Sequence, residues 1–149
     1  GHDSYLTWTK ETENAGDFRV SLASSTIVRV NRQEYASSAE IDLLEAFIYE
    51  PRSQQNLTVS WSREDHGLTL FADRLGHMNM YEGKVSDPHI TYNMSYRYDY
   101  SPDINLYLSV RNLTDVMPQK DGGFGYPYYY QGVYSVFGRY ASAGFNYRF

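Results

Sequence analysis

Hydrophobicity in this chain alternates with a period of two. Between Ile90 and Asp99, the apolar residues Ile90, Tyr92, Met94, Tyr96 and Tyr98 are interleaved with Thr91, Asn93, Ser95, Arg97 and Asp99. Successive side chains of a strand point to opposite sides, so this period predicts a strand with one apolar and one polar face. The pattern recurs at Ile104, Leu106, Leu108 and Val110, and again at Ala141, Ala143, Phe145, Tyr147 and Phe149. Leu57, Val59 and Trp61 mark a further strand, as do Leu68, Leu70 and Ala72. Phe18, Val20 and Leu22 mark another, with the same phase resuming at Val28 and Val30 after a polar break, and Leu6 with Trp8 marks one near the start. About seven strands are expected, in an all-β, antiparallel, up-and-down meander. A helix is suggested only over Glu40 to Tyr49, where Ile41, Leu44 and Ile48 fall near helical spacing, and a loop with an apolar turn explains that stretch equally well.

The connections alternate between short and long. Short turns fall at Glu13 to Asp17, Arg63 to Gly67 and Asp99 to Asp103, with the Gly, Asn, Asp or Pro that turns need. Long loops fall at Asn31 to Gln54, His77 to Pro88 and Thr114 to Phe137. In a meander this order sends all the long loops to one end. Outer-membrane barrels have that asymmetry, with short periplasmic turns and long outer loops.

Composition narrows the choice of surroundings. Sixteen tyrosines in 149 residues, and 17% aromatic residues in all, suit either a Tyr-rich β-sandwich or a chain with aromatic girdles where lipid meets water. The polar face separates the two. A sandwich buries one face of each sheet and leaves the other in water, and a barrel wets the inside and greases the outside. Arg97, Arg111 and Arg148 share the polar face, and an Arg on the lipid side at mid-bilayer would cost about 2–4 kcal/mol. No apolar run is long enough for a spanning helix, which does not bear on spanning strands. The absence of cysteine excludes disulfide and thiolate-metal scaffolds, and a net charge of −5 without a basic stripe argues against nucleic acid as a partner. No export signal opens the chain, so any such signal is expected upstream or removed.

The last eight residues read Ser142-Ala143-Gly144-Phe145-Asn146-Tyr147-Arg148-Phe149. This looks like the C-terminal signal by which the barrel-assembly machinery recognises outer-membrane barrels, and it assigns an assembly role to Gly144, Phe145, Tyr147 and Phe149. An exposed final strand with aromatics on one side is physically suited to adding to a sheet edge.

Further upstream, Val110-Arg111-Asn112-Leu113-Thr114-Asp115, then Tyr126-Pro127, then Gly138-Arg139-Tyr140 and the terminal strand together resemble the end of TonB-dependent outer-membrane receptors. Those commonly close with Asn-Leu-Phe-Asp, a Tyr-Pro loop and Gly-Arg before the last strand; here Thr114 stands where Phe is usual. The resemblance spans roughly Asn56 to Phe149 and is thin before Asp17. It implies a barrel segment of an energy-coupled importer, in the bacterial outer membrane, for a ferric siderophore, cobalamin or a glycan. Its expected partners are outer-membrane lipid, the barrel-assembly machinery, the solute, and the TonB system acting through a plug that residues 1–149 do not include. Such receptors close about 22 strands, so seven imply that other strands complete the circle. The rival expectation is a complete eight-stranded barrel with a structural or adhesion role, its extra strand hidden in Tyr126 to Phe137.

Other constellations are weaker. His2, His66, His77 and His89 are scattered loop residues before they are metal ligands. A lipid hydrolase would need a nucleophile in register with His89, and none is apparent. Glu11 with Glu13, and Glu64 with Asp65, fit solvated turns. The sequons at Asn56, Asn93 and Asn112 sit in or at the ends of strands and are given no glycan meaning. Tyr126, Tyr128, Tyr129, Tyr130 and Tyr134 crowd the last long loop, where the resemblance places external ligand contacts; an interfacial girdle is the favoured alternative. No cofactor and no enzymatic activity are expected.

Overall fold

A computed structural model describes residues 1–46, 49–135 and 137–149, and the side chains of residues 45 and 46 are not part of that description. The chain forms β1 (His2–Lys10), β2 (Asp17–Thr26), β3 (Asn31–Arg32), β4 (Ile41–Asp42), one helical turn α1 (Leu43–Ala46), β5 (Ser53–Arg63), β6 (His66–Leu75), β7 (His89–Ser101), β8 (Ile104–Arg111) and β9 (Tyr140–Tyr147). Seven strands make one antiparallel sheet in the order β1-β2-β5-β6-β7-β8-β9, and β3 pairs with β4 as a separate two-stranded ribbon. The sheet is open: β1 and β9 are its edges.

The register joins the alternating faces of all seven strands. One rung runs Trp8, Val20, Val59, Leu70, Met94, Val110, Ala141. The next, one residue along, runs Thr9, Arg19, Ser60, Thr69, Ser95, Ser109, Ser142. Side chains one residue apart face opposite ways, so the first rung belongs to an apolar face and the second to a face of hydroxyls.

Among the described residues, no layer packs on the apolar face. Leu70 has Val59 and Met94 on its two sides, yet 40% of it is exposed, and Leu108, between Tyr96 and Ala143, is 36% exposed. Burying a large apolar side chain is worth about 1.5–3 kcal/mol. A seven-stranded face left bare in water therefore forgoes more than the roughly 5–15 kcal/mol by which a domain is stable.

The buried apolar residues are elsewhere: Leu44, Met78, Met80, Tyr129 and Tyr134 all lie in the long loops. Met78, only 1% exposed, packs with Tyr129 and Tyr134, with Tyr49, Leu75 and Val133 around them. Apart from Leu75 at the end of β6, those residues come from the β2–β5, β6–β7 and β8–β9 connections, so the three long loops share a small core at one end of the sheet.

Four expectations are corrected or narrowed. The alternation does not resume as strand at Val28 and Val30: β2 ends at Thr26, opposite Ser53 where β5 begins, and Val28 is exposed. Past that pair one backbone bond remains, Ile27 N–H donating to Arg52 O at 2.9 Å, and the paired register goes no further. The last strand stops at Tyr147 rather than Phe149, because its partner β8 starts at Ile104, opposite Tyr147. Of the suggested helix, Leu43–Ala46 alone is helical among the described residues, started by Asp42, whose Oδ1 accepts from Leu44 N–H at 3.0 Å; Ile48 falls outside the described residues. Residues 126–137 hold no strand among the described residues, so the eighth strand of the small-barrel expectation is not found there.

The turns are held by specific contacts. Gly16 has φ +86°, where only glycine is unstrained, and a Cβ there would lie 2.8 Å from Arg63 Cβ. Trp61 Nε1 donates to Ala15 O at 2.8 Å across the same turn. Gly16→Ala should lower stability by at least about 1 kcal/mol. Urea unfolding followed through tryptophan fluorescence checks this; an unchanged midpoint would count against the close approach.

Candidate functional site

A deep concavity lies on the polar face at the loop end. Its volume is about 530 Å³, and its floor is built by alternate residues of adjacent strands: Asp73 and Leu75 of β6, His89 and Thr91 of β7, Arg111 of β8 and Tyr140 of β9. The β8–β9 loop covers it with Val116, Pro118, Val133, Tyr134, Ser135 and Phe137.

Amide side chains organise the floor. Asp73 Oδ1 accepts from Asn56 Nδ2 at 2.6 Å, and Oδ2 accepts from Asn93 Nδ2 at 3.0 Å. Asn93 Oδ1 in turn accepts from Asn112 N–H at 2.9 Å. Both Asp73 oxygens are thus met by neutral donors, and no ion pair joins Asp73 to Arg111 among the described residues. Arg111 itself is exposed.

The loop that roofs the pocket is anchored at both ends by the segments that carry the family resemblance. Asn112 is buried, and its side chain bonds both ways with Val116: Nδ2 donates to Val116 O at 2.9 Å and Oδ1 accepts from Val116 N–H at 3.0 Å. Asp115 Oδ1 accepts from Arg139 N–H at 2.7 Å, and a Cβ on Gly138 would lie 2.7 Å from that same oxygen. The Asn-Leu-Thr-Asp and Gly-Arg segments, 24 residues apart between Asp115 and Arg139, therefore meet and close the loop at its base. Thr114 is exposed.

The five tyrosines of this loop divide. Tyr129 and Tyr134 are buried in the loop core, where Tyr134 stands edge-on to His89 with ring centroids 4.9 Å apart. Tyr130 stacks on Phe124 at 5.5 Å and packs against Tyr49 at 5.0 Å. Tyr126 and Tyr128 remain at the surface, 88% and 49% exposed. As a set they are partly structural: Tyr126 and Tyr128 are the most open to solvent, and Tyr130 is partly so at 37%.

Asp121 ties the loops together. Its Oδ1 accepts from Gly123 N–H at 2.8 Å, its Oδ2 accepts from Tyr81 N–H of the β6–β7 loop at 3.2 Å, and the Tyr49 hydroxyl of the β2–β5 loop also donates to it. Burial pushes this carboxyl up, but the donors from Gly123, Tyr81 and Tyr49 together outweigh it and hold Asp121 below the usual carboxylate range. The Tyr49 phenol is pushed up, first by burial and then by Asp121.

The residues assigned to barrel assembly sit on the edge strand. Phe145 and Tyr147 are exposed on the apolar face, and Phe149, beyond the ladder, packs edge-on to Tyr147 at 5.2 Å. Gly144 lies on the polar face beneath Tyr107, where a Cβ would come within 2.5 Å of Tyr107 Cζ. That glycine makes room for a ring on the neighbouring strand. The histidines are not gathered: no group of three or more His, Asp or Glu able to hold a metal occurs among the described residues. His66 Nδ1 bonds Tyr96 Oη at 2.7 Å, and His77 Nδ1 bonds Ser86 O at 2.7 Å.

Reasoning from sequence alone did not find the pocket. Asp73, Thr91 and Arg111 were legible as polar-face residues of separate strands; that they share a floor depends on register across three strands.

Because the folded pKa of Asp121 is depressed, its contribution is present above the ordinary carboxylate value and is lost as pH falls through the depressed one. Amide exchange at Gly123 and Tyr81 should therefore accelerate beyond the intrinsic trend as pH falls below the ordinary carboxylate range. Asp121→Asn should remove that dependence; identical pH profiles for native and variant would contradict the assignment.

Comparisons with models of known protein families, with curated proteins and with solved structures returned no match.

Proposed function

We propose that this chain is part of the barrel of a TonB-dependent outer-membrane receptor, which imports a scarce solute such as a ferric chelate, cobalamin or a glycan. The observation that carries the reading is the bare apolar band of a sheet whose buried residues all lie in its loops. On β5 the apolar face carries Gln55, then Leu57, Val59 and Trp61, then Arg63; on β6 it carries His66, then Leu68, Leu70 and Ala72, then Arg74. From Gln55 to Arg63 is about 27 Å at about 3.4 Å per residue, close to the roughly 25 Å apolar belt of an outer-membrane barrel.

The margins of the band support the same solvent. Arg74 Nη1 donates to Gln55 Oε1 at 2.6 Å on the loop side. On the turn side, Trp61, Tyr96, Tyr98 and His66 are aromatic rings with polar tips, of the kind that gathers where acyl chains meet headgroups. The hydroxyl-rich face would line a watery interior, and the open edges at β1 and β9 are where further strands would pair to close the barrel. The link between Asp115 and Arg139 ties together two of the segments that carry the resemblance. The importer and its class of solute rest on that resemblance.

Both tryptophans of the chain, Trp8 and Trp61, belong to the apolar face. In vesicles with brominated acyl chains their fluorescence should be strongly quenched, and aqueous iodide should have little effect. Quenching by iodide alone, in a chain folded without lipid or detergent, would sink the membrane reading.

Adjacent residues on opposite faces test orientation and transport together. In the source bacterium, Leu70→Arg should lower the outer-membrane level of the protein and uptake of the limiting solute, consistent with a cost of about 2–4 kcal/mol at mid-bilayer. Thr69→Arg, on the other face, should leave both near native. Equal effects of the two substitutions, or uptake independent of TonB, would count against the proposal.

A further inference from the structure

We infer that the pocket beneath the β8–β9 loop binds a small organic monocarboxylate, with its carboxylate on Arg111 and its flat apolar body against Phe137 and Tyr140. The uptake reading gives this site its biological setting, and the site deepens that reading by naming a chemical class of solute.

Three observations carry the inference. Arg111 lines the pocket with no acceptor bonded to its guanidinium among the described residues, although a carboxylate lines the same pocket. That carboxylate, Asp73, is already held by Asn56 and Asn93, so the floor leaves the guanidinium fork free for a visitor. A guanidinium recognises a planar carboxylate through two parallel N–H···O bonds.

The walls select what the carboxylate is attached to. Val116, Pro118 and Val133 are apolar, and Phe137 and Tyr140 stand 75% and 57% exposed at the rim, two large rings without a packed partner layer. A cavity of about 530 Å³ is far larger than an inorganic oxyanion needs and lies in the ordinary range for organic ligands. A second negative charge on the ligand would meet Asp73 inside the same pocket, which favours one carboxylate over two.

The floor and roof hold themselves in the absence of ligand. Asn112 joins the end of β8 to Val116 of the roof, and the Asp115–Arg139 bond closes the loop, so the site is preformed rather than folded around its occupant.

The test uses the nitrogen-15-labelled chain in micelles, titrated with naphthoate and, as the neutral isostere, naphthamide. Shifts of the Arg111 side-chain N–H and the Tyr140 amide report the pocket directly, so partition of either compound into detergent does not imitate binding. Native protein should prefer the acid by at least about tenfold, the scale of a charge-assisted hydrogen-bond pair. Arg111→Gln should abolish the preference and Arg111→Lys should keep part of it. Arg97→Gln should leave it intact, because Arg97 is paired with Asp99 at 3.2 Å at the other end of the polar face.

A preference that survives in Arg111→Gln, or shifts confined to apolar-face residues such as Leu70 and Met94, would overturn the inference. Either result leaves the lipid quenching of Trp8 and Trp61 untouched, so this site and the membrane reading fail separately.

Discussion

Cross-strand register is the constraint on which the rest of this structure depends. A slip of one residue in any strand would carry its whole apolar set to the other face, exchanging, for example, Leu70 for Thr69 in the rung that joins Val59 to Met94. In three of the six pairings, β1–β2, β5–β6 and β7–β8, the register is set locally, by short turns that admit few geometries. Gly16 can take its left-handed conformation against Ser62 and Arg63, and Trp61 reaches across to Ala15 in the same turn. With the turns settled, six antiparallel pairings stack apolar on apolar across the full width of the sheet.

The consequence is a division of labour between the two ends and two faces. The sheet has no core of its own; its cohesion comes from backbone ladders and same-face neighbours. The loops carry the buried cluster, and they are bound to one another by hydrogen bonds that reach between connections, such as Tyr49 N–H to Asn79 O at 2.8 Å and Asp87 N–H to Gln119 Oε1 at 2.9 Å. Loops held this way can form walls. The pocket between the polar face and the β8–β9 loop is one product, with strands supplying charged and polar groups from below and the loop supplying apolar cover from above.

Polar groups on the wet face are linked in a chain that runs across strands, from Asn56 to Asp73 to Asn93 to the backbone of Asn112. Each link lies between neighbouring strands, so the network stiffens the part of the sheet from which the longest loop departs. Asn112 then passes that order into the loop, through its two bonds to Val116. The glycine at 144 serves the same face differently, by giving Tyr107 a place to lie flat on the next strand.

What the sequence determined by itself is the set of strands, their two faces and the sorting of short turns from long loops. All three are local properties, written in a two-residue period and in turn chemistry that need no distant partner. The ends of strands were less legible, since Val28, Val30 and Phe149 keep the right phase and yet fall outside the ladders: a strand lasts only as long as its neighbour. Only the tertiary structure decided which tyrosines of the last loop are buried and which are bare, because Tyr129, Tyr130 and Tyr134 find their partners on two other loops far away in the chain. The same is true of the pocket. Asp73, Thr91 and Arg111 become neighbours through pairing across β6, β7 and β8, and no period along a single strand encodes that adjacency.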